Sequence, residues 1–360
     1  MVRPYWPAHN EVLRFPRSAA PGVPNLVMKK ITTQILPWLI TLVALYVAFK
    51  GVDWRALIDH LSGVDLGWVT LAFSLTVSSY LLRARRWQLL FIERTIDYRN
   101  AAKVLILGFF MNNVLPARTG ELVRAHVGSR VTGLTRTLVL ASIASERLAD
   151  GLMISLLFLL FAFHLGDEHV SQNLLYVACF FAAAVAGVFL VLLLRRPLFG
   201  LAERLASRFP NRATRYALDR FQIFINGLAP LCTPARVPTI FLWSVVVWLI
   251  ELGVFVAVTH AFGANLGLAE CVLFLVTVNF SSLIPAAPGG IGVIEAIASA
   301  VLVSIGVQKE LALTMVIAQH VIQYLVVGIP GAIILATSRG RFGQIKELRD
   351  ERELTASAEG

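Results

Sequence analysis

The chain has 360 residues, 57% of them hydrophobic and 15% charged, with a mean hydropathy of +0.72. This composition excludes a water-solvated globular surface and fits a protein whose main solvent is lipid. The net charge of +10 does not indicate nucleic acid, because the basic residues stand in blocks between apolar runs, as in cytoplasmic membrane loops. Cys179, Cys232 and Cys271 show no paired spacing, which argues against a disulfide framework or a thiolate metal site.

Residues 1–27 read as a Pro-rich, disordered leader, and Met28, followed by two lysines and an apolar run, reads as an alternative start. A bilayer core about 30 Å thick needs about 20 apolar residues in helix. Runs of roughly that length occur near 34–50, 66–83, 135–164, 172–194, 238–262 and 309–337. Two further regions, 101–129 and 268–306, are apolar but interrupted, with arms too short for a full crossing. The predicted fold is an all-α integral membrane protein with about six full transmembrane helices and two broken re-entrant helical hairpins. Basic residues after the second run, in the loop 195–237 and from Arg339 to Arg352 orient those segments to the cytoplasm, whereas 51–65 and 165–171 face outward. Both termini then lie in the cytoplasm of a cell-membrane protein, and parity makes the two broken regions enter from opposite faces.

The first broken region reads GFFMNNVLPARTGELVRAHVGSR. Asn112 and Asn113 can satisfy backbone groups opened near Pro116, which removes a helix donor, and Gly120 tolerates unusual dihedrals. Arg118, Glu121 and Arg124 follow, and arginines beside a helix start suit a phosphate; the alternative is that these charges pair with one another. The next run carries SERLADG, placing Glu146, Arg147 and Asp150 near mid-depth. At a cost of about 2.5–3.5 kcal/mol for one such residue at the bilayer centre, all three must face a polar interior. A purely structural network with Arg118 and Arg124 is the competing reading.

Within the loop 195–237, Leu198, Leu201, Leu205 and Phe209 recur at helical spacing opposite Arg204, Arg208, Arg212 and Arg215, which predicts an amphipathic helix suited to an anionic leaflet. Glu251 falls near the centre of its run. The second broken region reads NFSSLIPAAPGGIGVIEA, where Pro285 and Pro288 stop one arm, Gly289, Gly290 and Gly292 allow close backbone approach, and Glu295 opens the next. In the last run, Gln319, His320, Gln323 and Tyr324 cluster. Glu251 and His320 are candidates for proton coupling, set against the plainer reading of His320 as a packing residue. No phosphate-binding loop, dinucleotide fingerprint or HExxH spacing occurs, so no cofactor and no metal is expected. The tail 338–360 passes from basic to polar.

LPARTGELVRA and IPAAPGGIGVIEA share an aliphatic residue, Pro, Ala, a Gly four positions after the Pro, and a Glu, which suggests an inverted pair around one midplane site. Taken in order, NNVLPARTGELVRA, SERLAD and PAAPGGIGVIE resemble the membrane-embedded flippase region of lysylphosphatidylglycerol synthases and related stand-alone flippase-like membrane proteins, over about residues 30–337. The resemblance implies movement of phospholipids or polyprenyl-linked lipids between leaflets through a polar cavity formed by broken helices. It implies that Asn113, Pro116, Arg118, Gly120, Glu121 and Arg124, then Glu146, Arg147 and Asp150, then Pro288, Gly289, Gly290, Gly292 and Glu295 line that cavity. The chain ends soon after the last run, so the aminoacyltransferase domain of the full synthases, and lipid aminoacylation with it, is not expected.

The expected function is therefore non-enzymatic translocation of an anionic phospholipid or a polyprenyl-phosphate-linked lipid, its headgroup held by Arg118, Arg124 or Arg147. Two alternatives stand beside it. One is an intramembrane enzyme using Glu146, Asp150 or Glu295 as general base. The other is an accessory protein of a lipid- or envelope-biosynthesis enzyme. Membrane lipids are the expected partners; such an enzyme and a second copy of the chain are the open protein partners.

Overall fold

The computed structural model describes residues 24–91, 96–115, 119–162, 193–208, 211–228, 235–284 and 288–358, with residues 179, 183, 186, 187, 190, 191 and 233 singly. Most of the expected span 172–194, the proline and arginine of the first break (Pro116, Arg118) and Pro285 of the second lie outside the described residues, as does the expected leader up to residue 23.

The described residues are helical, with no strand among them. In chain order they form α1 (Pro24–Phe49), α2 (Trp54–Ser62), α3 (Leu66–Leu89), α4 (Tyr98–Val114), α5 (Gly120–Thr132) and α6 (Arg136–Ala162). There follow α7 (Arg195–Arg208), α8 (Arg212–Gly227), α9 (Val237–Ala261), α10 (Leu268–Ser281), a 3-10 turn at Pro288–Gly290, α11 (Val293–Ser304) and α12 (Lys309–Ala358). Acidic and amide side chains set several of the starts. Asp53, Asp65, Asp97 and Asn211 each accept from the first-turn amides of α2, α3, α4 and α8, for example Gly67 N to Asp65 Oδ1 at 2.7 Å.

Among the described residues, α9 and the Lys309–Thr337 part of α12 are each long and apolar enough to cross a membrane. Pro37–Phe49 and Trp54–Ser62 qualify only as a pair bent by 84°. The stretch 51–65, expected to be a plain connection, thus contains a helix. The leader's last residues, 24–27, already belong to α1, and the tail continues α12 as far as Ala358. The loop 195–237 holds two helices, α7 and α8, so the amphipathic stretch expected there is helical through Arg208.

Helices α3 and α6 span 24 and 27 residues, about 36 and 40 Å at 1.5 Å per residue, yet both carry charge. Here the structure corrects the sequence reading. The block beginning RARR, assigned to a cytoplasmic loop, is the continuation of α3 to Leu89, and Arg83 and Arg86 are buried within the bundle. Acidic partners on α6 and α9 meet them there, so neither charge is buried unpaired.

The core lies where α9 and α10 pack against α3 and α6, with Val247, Phe255, Leu273, Phe274 and Leu275 all fully enclosed. Phe255 and Phe274 meet edge to face at 4.8 Å. The two interrupted regions sit against this core, α4 and α5 on one side, α10 and α11 on the other, with α12 touching both α4 and α11.

Candidate functional site

Glycines set the geometry of the first break. Helices α4 and α5 fold back on each other, so that Gly108 lies against Arg124 and Gly120 against Asn112. A Cβ on Gly120 would fall 2.2 Å from the Gly108 carbonyl oxygen, so only glycine permits this approach. Asn112, Asn113 and Leu115 are thereby delivered to the end of α4, and Glu121 to the first turn of α5.

Beside the hairpin, four arginines and four carboxylates interlock. Arg124 Nη2 donates to Glu146 Oε2 at 2.5 Å and its guanidinium lies 4.1 Å from the ring centre of Trp87. Arg86 Nη2 approaches Asp150 Oδ1 at 2.7 Å and Glu146 Oε1 at 3.7 Å, and its Nη1 donates to Ser244 Oγ at 3.1 Å. Arg83 reaches Asp150 at 3.4 Å and Glu251 at 3.5 Å. Ser79 Oγ donates to Glu251 Oε2 at 2.6 Å, and Trp248 Nε1 to Asp150 Oδ1 at 3.1 Å. Arg147 faces Glu146, Glu121 and Asp150 at 3.3, 3.7 and 3.7 Å. The side chains of Arg86 and Glu146 are wholly enclosed, whereas those of Arg147 and Glu121 keep 30% and 32% of their surface exposed.

The second break is held by left-handed glycines and a histidine. Gly289, Gly290 and Gly292 adopt φ of 71°, 76° and 84°, which a side chain would strain. Glu295 caps α11 by accepting from Gly292 N at 2.6 Å, and its other oxygen lies 2.6 Å from His320 Nδ1. His320 Nε2 faces the Gly289 carbonyl at 3.2 Å, and Tyr324 Oη donates to the Pro288 carbonyl at 3.2 Å. Gly292 packs on α1, where a Cβ would meet the Thr41 carbonyl at 2.9 Å.

Between the two breaks lies a cavity of about 350 Å³. The first hairpin contributes Asn112, Asn113 and Glu121, α6 contributes Arg147 and Asp150, and the second break contributes Gly289 and Gly290. Both coupling candidates, Glu251 and His320, also face it, each on its own partners: Glu251 with Ser79 and Arg83, His320 with Glu295 and Gly289. Leu283 and Ile284 line it and are themselves exposed, so the cavity opens to the exterior of the bundle beside two apolar side chains.

Other predicted residues sit behind the lining. Arg124, Glu146 and Glu295 are buried next to it and hold neighbouring side chains or backbone, Pro288 lends its carbonyl to Tyr324, and Gly120 and Gly292 serve helix packing. Sequence reasoning missed Arg83, Tyr80 and Trp248, all of which face the cavity. The signal for Arg83 was its fixed helical phase with Tyr80 and Ser79 on α3, which the neighbouring arginines masked.

The description "Lysylphosphatidylglycerol synthase TM region" matches residues 34–331. The chain belongs to that family. A UPF0104 membrane protein of Pyrococcus horikoshii is 22% identical over 337 residues, covering 87% of this chain and 98% of the relative. Glycosyltransferase AglD of Haloferax volcanii is 26% identical over 299 residues, covering 73% of this chain and 47% of that protein. No solved structure matches the chain. As a member of the lysylphosphatidylglycerol synthase transmembrane-region family, it is a multi-pass membrane protein connected with lipid chemistry.

Proposed function

We propose that the chain is a lipid translocase that moves an anionic phospholipid or a polyprenyl-phosphate-linked lipid between leaflets without covalent chemistry. The observation that carries this reading is the polar cavity between the two breaks, whose rim at Leu283 and Ile284 opens to the exterior of the bundle. A headgroup can enter it beside Arg147 while its tails stay in hydrocarbon. Among the described residues, Arg147 is the cation best placed for a headgroup phosphate, since Arg86 and Arg124 are enclosed by their carboxylate partners. With no nucleotide-binding motif in the sequence, exchange runs down the lipid gradient or is driven by the proton or electrical gradient, for which Glu251 and His320 remain the coupling candidates. In this reading the protein lies in the cell membrane with both termini in the cytoplasm, which the basic loop 195–237 and the basic tail favour.

The decisive experiment reconstitutes the full chain in liposomes with labelled anionic lipids. Leaflet exchange well above that of empty liposomes is expected, with Arg147→Gln slowing it at least tenfold. Exchange no faster than in protein-free liposomes, across the lipids tested, overturns the reading.

A second reading is supported by the match to 47% of a protein named a glycosyltransferase. In it, this membrane region presents a lipid-linked substrate to an enzyme that acts on it. Loss of a lipid-linked product in cells lacking the gene, with leaflet placement unchanged, would favour that reading.

A further inference from the structure

The charge balance of the cavity narrows the chemistry of what it holds, and this step rests on the translocase reading for the site itself. Among the described residues, Arg83, Arg86, Arg124 and Arg147 face Glu121, Glu146, Asp150 and Glu251, and each guanidinium lies 2.5–3.7 Å from at least one carboxylate. Counted over these described residues, the cluster is neutral. Among the described residues of the cavity, a dianion or a pyrophosphate would meet no guanidinium without a carboxylate partner. A single phosphodiester places a smaller demand. Arg147, 30% exposed and with no carboxylate closer than 3.3 Å, can turn toward one phosphate while Glu121 swings outward.

Beyond the cluster and the His320–Glu295 pair, the described lining is apolar or neutral and rich in hydrogen-bonding groups. Asn113, Asn279 and Gln323 each carry an amide donor and acceptor side by side, which matches neighbouring hydroxyls that both give and accept, although Asn279 gives one amide hydrogen to the Leu275 carbonyl at 2.8 Å. Gln323 spends one amide hydrogen on Tyr80 Oη at 3.1 Å and keeps its carbonyl oxygen. The rings of Phe109 and Trp248 also line the cavity, stacked under Arg147 and Arg83 at 5.2 and 4.8 Å. At about 350 Å³ the cavity lies near the lower end of the roughly 300–1,000 Å³ of small-molecule pockets, so it suits one ring and not a chain of them.

We propose that the cavity binds a lipid phosphodiester bearing one small polyhydroxylated group, a single sugar or polyol ring, with the hydroxyls on Asn113, Asn279 and Gln323 and the phosphate on Arg147. The same headgroup chemistry is carried by a monoglycosylated polyprenyl phosphate and by an inositol-bearing diacyl phospholipid.

The test titrates the purified full chain in detergent, by native mass spectrometry, with four probes: a polyprenyl-phosphate hexose, phosphatidylinositol, phosphatidic acid and phosphatidylethanolamine. At least one of the first two binds about tenfold or more tighter than either of the last two, and the tighter of the pair identifies the carrier lipid. Asn113→Leu and Gln323→Leu each weaken that polyol lipid about tenfold and change phosphatidic acid less than about twofold. Phosphatidic acid or phosphatidylethanolamine binding as tightly as both polyol lipids overturns the proposal, and so do variants that weaken all four probes equally. The wild-type panel decides alone if a variant does not fold. Tight polyol binding without leaflet exchange sinks the translocase reading and leaves the ligand class standing; exchange without polyol preference does the reverse.

Discussion

Replacing Glu146 by Gln separates the structural half of the charge cluster from the half that faces the cavity. Glu146 is fully enclosed and bonds Arg124 at 2.5 Å, with Arg147 at 3.3 Å and Arg86 at 3.7 Å. In the variant Arg86 keeps Asp150 at 2.7 Å, and Arg147 keeps Glu121 and Asp150. Arg124 keeps only its position over Trp87, a contact present with or without the substitution. Removing one partner of a buried ion pair costs about 3–5 kcal/mol, and because Gln still offers an acceptor oxygen the low end, about 3 kcal/mol, applies. At about 1–2 °C per kcal/mol for a chain of this length, the melting temperature in detergent should fall by roughly 3–6 °C. Glu121→Gln supplies the comparison. Its carboxylate lies 3.7 Å from Arg147, and both side chains are about one-third exposed, so screening limits the loss to about 1 kcal/mol or less. The double variant Glu146→Gln/Arg124→Gln removes the orphaned charge and should recover about 2 kcal/mol of the single variant's loss. Equal melting shifts for Glu146→Gln and Glu121→Gln, or a double variant no more stable than Glu146→Gln, would refute the reasoning.

Gly120→Ala should destabilise by several kcal/mol, on the order of the largest single-residue losses, because its Cβ would lie 2.2 Å from a backbone oxygen that has no room to yield; detergent melting curves check it against Gly133→Ala, which meets open space at φ of +73° and should lose only about 1–2 kcal/mol of backbone strain. In Gly289→Ala the Cβ would fall 1.5 Å from Tyr324 Oη, so leaflet exchange should drop sharply and partly return in Gly289→Ala/Tyr324→Ala; no return would mean that backbone strain, and not the tyrosine contact, controls the break. Glu295→Ala removes both the cap on Gly292 and the partner of His320 and should cost about 1–2 kcal/mol or more, whereas Glu295→Gln keeps an acceptor for the cap and should cost less; melting curves of the two variants settle the order.

Much of the site was readable from the chain because hydrocarbon makes polar residues conspicuous. Glu146, Arg147 and Asp150 could not stand in an apolar run without a polar interior, and the cavity wall holds two of the three. The Pro- and Gly-rich interruptions likewise marked the two places where helices stop and backbone meets side chains, at Asn113 and at Gly289. What was not readable is which member of a charged motif turns toward the cavity. Arg124 and Arg147 look alike in sequence, yet the close approach of α4 and α5 at Gly108 and Gly120 turns Arg124 inward onto Glu146 and Trp87, and leaves Arg147 partly open.

The α3 arginines show what a charge count along the chain does not see, namely which basic residues are paired inside the bundle. Arg83, Arg85 and Arg86 form one block, and a positional count assigns the whole block to the cytoplasmic face. Within a helix, however, residues three or four apart share a face and adjacent ones do not. Arg83 and Arg86 project into the bundle toward Asp150, while Arg85 turns to Gln88. The block therefore serves two environments at once, and hydropathy averaged along the chain cannot divide it. Pairing with acidic residues one turn apart on a neighbouring helix can: Glu146 and Asp150 at i and i+4 on α6 match Arg83 and Arg86 at i and i+3 on α3, so the two helices are tied along one face. In membrane chains of this kind, a basic block that follows a span should be tested for such a complementary acidic spacing before it is placed outside the membrane.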